Sequence, residues 1–209
     1  MNSSSPETTR DDAHTVAFFS DLLRQHQVSP LSVNWGSQAS QERRFAVLAG
    51  IGDLAGRSVL DVGCGLGDFY SWQRREQLGV EYHGVDLTPA MAAAAQARFQ
   101  EARFRAGNVL AEDFGTFDYI VASGIFYLRE HEPMPFLRQM VTRLFAMSRC
   151  GVAFNSLSTW SAHQDAGEFY ADPVETLEFC RTLTPRVVLR HDYHPGDFTI
   201  YLLKPASSP

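Results

Sequence analysis

A chain of 209 residues is long enough for one large domain, and its 44% hydrophobic and 20% charged content fits a globular protein with an ordinary core. A net charge of −6 and a pI near 5.6 supply no basic footprint for a nucleic-acid backbone, so none is expected as partner. No apolar run reaches the about 18–20 residues that a membrane-spanning helix needs, and residues 1–12 lack the basic and apolar regions of a signal peptide. Cys64, Cys150 and Cys180 are odd in number and irregularly spaced, which suits free thiols in a reducing compartment rather than a disulfide framework or a zinc site. The expectation is a cytoplasmic enzyme, away from membranes, that acts on something small as a monomer or homodimer.

Residues 1–10 open Ser-rich and read as a disordered tail, as does PASSP at 205–209. From Asp12 the apolar residues Val16, Phe19, Leu22 and Leu23 recur at helical spacing behind the capping pair Asp11-Asp12, and Pro30 closes that helix. After the loop VNWGS (33–37), Ser37 is placed to cap a second helix from Gln38 to Ala49. These two helices, within 11–56, precede the first strand and have no place in a strand–helix alternation, so they are expected to cap the core.

Residues 57–205 read as one core in which short apolar runs alternate with helices. The runs are SVLDVG (58–63), YHGVD (82–86), Arg103 to Ala106, FDYIVAS (117–123) and GVAFNS (151–156). Helices are expected after Gly67, from Pro89, from Pro133 to Met147, and from Pro173 to about Arg181. VVLRHDY (187–193) and FTIYLL (198–203), joined by His194-Pro195-Gly196-Asp197, form an antiparallel hairpin. The fold class is therefore α/β: a doubly wound, mostly parallel sheet with helices on both faces, a C-terminal antiparallel hairpin and an N-terminal two-helix cap.

Val59-Leu60-Asp61-Val62-Gly63-Cys64-Gly65-Leu66-Gly67-Asp68 is the most informative stretch: a strand, a three-glycine turn, then a helix. A ligand's polar end meets exposed N–H groups at such a turn, and glycines permit the close approach. A dinucleotide fingerprint is G-x-G-x-x-G. Here the pattern is G-x-G-x-G, and Asp61 precedes it by two residues. A carboxylate there would repel a pyrophosphate but pair with an ammonium, which favours S-adenosylmethionine (SAM) over NAD. Asp86, at the end of the second strand, stands where a carboxylate accepts ribose hydroxyls; the alternative is that it caps the helix at Pro89.

VLDVGCGLGDF and GVDLTPAM resemble the first and second motifs of the class I SAM-dependent methyltransferases, and the resemblance covers Arg57 to Ser156. It implies that Gly63, Cys64, Gly65 and Gly67 line the methionine moiety, with Asp61 near its amino group. Asp86 and Leu87 would hold the ribose, and Asn108-Val109 the adenine, although the family more often has Asp where this chain has Asn108. FDYIVASGIFYL is similar to the fourth-strand motif, whose end, Ser123-Gly124, would lie beside the methionine.

The acceptor is less legible. The strand end SGIFY lacks the Asp/Asn-Pro-Pro-aromatic signature of enzymes that methylate bases or glutamine, and no cluster of acids and histidines suggests a metal. Trp35 reads either as a lid over the site or as a wedge between helices. Phe126 and Tyr127 read either as facing the methyl group or as core aromatics. Asn155, then Tyr170 and His163 in the polar loop 158–172, complete the acceptor candidates, with His163 as base and Tyr127 as its catalytic companion. The expected activity is methyl transfer from SAM to a small molecule, leaving S-adenosylhomocysteine (SAH). Transfer of an aminopropyl or carboxypropyl arm, or a catalytically silent SAM-binding subunit, are the alternatives.

Overall fold

The computed structural model describes residues 6–33 and 37–205. Its centre is a seven-stranded sheet: β1 (Ser58–Val62), β2 (Glu81–Asp86), β3 (Arg103–Ala106), β4 (Phe117–Ala122), β5 (Ser148–Leu157), β6 (Val187–Arg190) and β7 (Asp197–Leu203). The strand order is β3-β2-β1-β4-β5-β7-β6. All pairings from β3 to β5 are parallel, and β7 runs antiparallel to both β5 and β6. The expected mixed sheet with a terminal hairpin is therefore present, and β7 inserts between β5 and β6.

Six helices are described: α1 (Pro6–His26), α2 (Gln38–Ala49), α3 (Asp68–Arg75), α4 (Pro89–Arg98), α5 (Pro133–Met147) and α6 (Pro173–Leu183). Local chemistry sets several of their starts. The Ser37 hydroxyl accepts the Ser40 N–H at the head of α2, and Asp172 accepts from Val174 and Glu175 at the head of α6. Pro89, Pro133 and Pro173 occupy first-turn positions, where the missing N–H costs nothing.

Residue alternation along the strands divides the core in two. Leu60, Ile120, Val152, Phe154, Ile200 and Leu202 face α5 and its Leu137, Val141 and Leu144. Val59, Val121, Ala153 and Tyr201 face the opposite side, with Phe45 and Leu48 of α2 and Phe69 and Trp72 of α3. Asp61 shares the Val59 parity, so its carboxyl is carried into the second of these layers.

Three boundaries differ from the sequence reading. Helix α1 begins at Pro6, inside the segment read as a tail, so Asp11 and Asp12 lie within the helix rather than at its cap. Strand β5 starts at Ser148, because Ser148 pairs with Phe117 across an irregularity in register. Strand β6 stops at Arg190, where the His191 ring turns to the Ser158 hydroxyl at 2.8 Å. The two N-terminal helices also part company. Helix α2 lies on the sheet against β5 and α3, whereas α1 packs on α4 and reaches over the sheet's carboxyl end. No described helix is long and apolar enough to cross a membrane.

Candidate active site

Parallel strands β1, β2, β4 and β5 end on one edge, and a cavity of about 310 Å³ opens there. Its floor is the turn between β1 and α3. Gly63, Gly65 and Gly67 all have positive φ, at 76°, 52° and 77°. That conformation is costly for residues with a Cβ. The Gly63 and Cys64 N–H groups donate to Val85 O, which ties the turn to β2. Gly67 does not line the cavity: a Cβ on it would come within 2.9 Å of the Phe104 ring, so this glycine serves packing.

Two buried carboxyls frame the floor. Asp61 lines the cavity and accepts a hydrogen bond from the Tyr82 hydroxyl at 2.7 Å. Burial pushes its pKa up to about 7, against the Tyr82 bond and reinforced by the charges of Asp86 and Asp68. Asp86 accepts from Gly65 N–H at 2.8 Å through one oxygen and from Thr88 N–H at 2.7 Å through the other. It therefore steadies the start of α4 and pins the glycine turn at once. Burial raises its pKa, opposed by those two N–H groups.

Leu87, Asn108, Val109, Ser123, Gly124, Phe126, Tyr127 and Asn155 also line the cavity, as the sequence reading grouped them. Asn108 differs in detail. Its Oδ1 accepts from Leu110 N–H, and its Nδ2 donates at 2.9 Å to Asp12 of α1. An aspartate at 108 would face the Asp12 carboxylate, which gives a physical reason for an amide here. The Asn155 amide is likewise committed, donating to Ser123 Oγ and accepting from Gly124 N–H, each at 2.9 Å. It braces the end of β4.

His163 and Tyr170 stand elsewhere. His163 is exposed and outside the cavity lining, and its backbone is tied to the Ser161 hydroxyl. The Tyr170 hydroxyl donates to Glu168 and accepts from Asp165 N–H, each at 2.9 Å, so the residue that reaches the cavity is Glu168. Trp35 lies outside the described residues.

Residues 59–145 match the family model described as a methyltransferase domain. A protein of Mycobacterium tuberculosis (strain H37Rv) bearing the name methyltransferase Rv1506c is 34% identical over 155 residues, 70% of this chain and 93% of its own. The chain is a class I SAM-dependent methyltransferase. Solved structures agree on the fold. The magnesium protoporphyrin IX methyltransferase of Synechocystis PCC 6803 with bound SAH superposes at a TM-score of 0.70 and 16% identity, over 94% of this chain and 99% of that one. The mitomycin 7-O-methyltransferase MmcR superposes at 0.64 and 12% identity, over 96% and 69%.

The site of this methyltransferase fits its cofactor. A cavity with two buried carboxyls on its wall, one held by a single hydroxyl and the other beside a glycine cradle, suits a ligand carrying an ammonium and a ribose. Several lining residues escaped the sequence reading: Asp12 and Phe19 of α1, Gln41 and Arg44 of α2, Arg129 and Asp197. The Arg129 guanidinium donates to Asp12 and lies 3.6 Å from the Phe136 ring centroid. Arg44 donates to Asp197 across 153 positions of sequence, a buried pair that no local pattern announces.

Proposed function

We propose that the methyltransferase moves the methyl group of SAM to a small molecule held in the same cavity. The observation that carries this is the roof. Helix α1 brings Asp12, Thr15 and Phe19 to the wall of the cavity of about 310 Å³ at the carboxyl ends of the strands and so covers part of it. A partly covered cavity of that size admits a compact acceptor more readily than a folded macromolecule. The porphyrin and mitomycin enzymes named above act on small molecules, in keeping with this reading.

Strand order divides the labour. On the β2–β3 side, Asp86 receives the ribose hydroxyls and Val109 packs beside the adenine. Above β1, Asp61 pairs with the α-ammonium. Ser123 and Gly124, braced by Asn155, border the methionine arm. Bound SAM supplies a sulfonium methyl, an electrophile that needs no further activation. The chain's task is then to hold a nucleophilic lone pair in line with that methyl and to keep water out, which lowers a barrier by roughly 7–11 kcal/mol when the geometry is right. Phe126 and Tyr127, at the end of β4, and Arg44, Ser156, Glu168 and Asp197 wall the remaining volume, where the acceptor sits.

The test uses SAM labelled on the methyl carbon, the full-length protein and a cell extract separated by size. Label recovered in the small-molecule fraction is expected. Label confined to protein or nucleic acid overturns the reading, and label that stays with the sulfur nucleoside while SAM is consumed points to transfer of another arm.

A further inference from the structure

Asn108, which its sequence position puts beside the adenine, has both polar ends committed. Its Oδ1 accepts the Leu110 N–H and its Nδ2 donates to Asp12, each at 2.9 Å. An adenine ring carries nitrogens that accept hydrogen bonds, and Asn108 has no N–H turned to them.

Arg129, in the segment after β4, brings a spare donor to the same wall. It is 7% exposed, and Nη1 has no hydrogen-bond partner among the described residues. Buried polar groups are ordinarily satisfied, so this N–H marks a place where a ligand completes the bonding. The guanidinium itself is held. Nη2 donates to Asp12 Oδ1 at 2.5 Å, and the group lies 3.6 Å from the Phe136 ring centroid. A guanidinium is a rigid planar fork, so holding Nη2 on Asp12 and the plane by Phe136 fixes Nη1 as well. Asp12, Asn108, Arg129 and Phe136 all line the cavity, which puts the unmet N–H in the wall where Asp12 joins Asn108 to Arg129.

Charge decides what that donor takes. Among the described residues, six carboxyl groups and two arginines line the cavity, and both arginines are already paired with carboxylates. An anionic group would enter against that excess of acid with no unpaired cation to receive it. A neutral acceptor on an uncharged ring escapes the repulsion and still gives Nη1 its bond. Val109, next in sequence to Asn108, and Met140 of α5 add apolar surface to the lining, as a flat heterocycle needs.

We infer that Arg129 reads the cofactor's base, its Nη1 donating to a ring nitrogen of the adenine, with Asp12 of α1 as the positioning residue that aims it. This rests on the proposed placement of SAM, with the adenine on the β2–β3 side. The probes are SAH and its 1-deaza, 3-deaza and 7-deaza analogues, each with one ring nitrogen replaced by C–H, titrated calorimetrically into the full-length protein. One analogue is expected to bind about tenfold more weakly than SAH, as the loss of one hydrogen bond from a charged donor requires. In Arg129→Met, SAH itself should weaken about tenfold, and that analogue should bind within about twofold of SAH. A merely structural Arg129 would weaken all four ligands by one common factor and leave their ratios unchanged. If Arg129→Met does not fold, Arg129→Lys is read in its place, since it keeps a cation beside Asp12 but loses the fork. Equal binding of all four ligands to the wild type, or ratios that the variant leaves unchanged, overturns the inference. Binding of none of the four would overturn the placement of SAM as well, so the two failures are told apart.

Discussion

Asp61 shows how one buried carboxyl couples stability, pH and ligand. Its folded pKa, about 7, is raised above the ordinary 3.8, so the folded chain holds a proton there that the unfolded chain has released. Stability of the unliganded protein therefore falls as pH climbs from 3.8 to about 7, the reverse of a salt-bridged carboxylate. An ammonium beside Asp61 favours the ionised form, so SAH affinity is expected to rise with pH up to about 7 and then level off. Calorimetry in buffers of different ionisation enthalpy should show proton release below neutrality. Asp61→Asn should flatten the profile and weaken binding, and a wild-type affinity indifferent to pH would remove Asp61 from the ammonium site. The neighbouring Asp86 makes two charge-assisted bonds to backbone N–H groups, each worth about 1.5–3 kcal/mol. Asp86→Ala is thus expected to lower both the melting temperature and SAH affinity; a loss of melting temperature alone would leave it a structural brace. His163 is exposed and is not among the residues that line the cavity. His163→Ala should leave turnover within about twofold of wild type, because no positioned base is removed; a larger drop would put the loop 158–172 in motion over the site.

At the scale of elements, α1 is the piece whose hold is most local. Asp12 bonds both Asn108 Nδ2, at 2.9 Å, and Arg129 Nη2, at 2.5 Å, while Asp11 meets the His131 ring at 2.9 Å. The helix is thereby latched to the β3 and β4 ends, across the adenine side. Removing one partner of a buried pair costs about 3–5 kcal/mol when the other charge stays buried. Here α1 can lift instead and let water reach Arg129, so the smaller loss is expected to appear as local opening. Asp12→Ala should speed amide exchange throughout α1 and leave the protection of β1, β4 and β5 intact. Uniform exchange changes would show that α1 is part of the core rather than a roof. Deleting residues 1–32 should accordingly weaken SAH binding more than it lowers the melting temperature.

For the whole molecule, ligand linkage gives the simplest check of the cofactor site. SAH at about a hundred times its dissociation constant should stabilise the fold by about 2.7 kcal/mol, and NAD should not. Equal thermal shifts with both would place the ligand outside the G-x-G-x-G turn. Much of the fold that makes this site was legible in the chain, because it depends on residues a few positions apart. The cap at Ser37, the prolines that open α4, α5 and α6, the alternation along β1 and β4, and the acid-led glycine turn are all short-range patterns, enforced by backbone geometry and hydrogen bonding to near neighbours. Tertiary structure decided the rest: that β7 slips between β5 and β6, that α2 lies on the sheet while α1 roofs it, and that Arg44 meets Asp197 and Asp12 meets Arg129. Those arrangements are set by burial and charge pairing between segments far apart in the chain, which leave no period or spacing in the sequence to read.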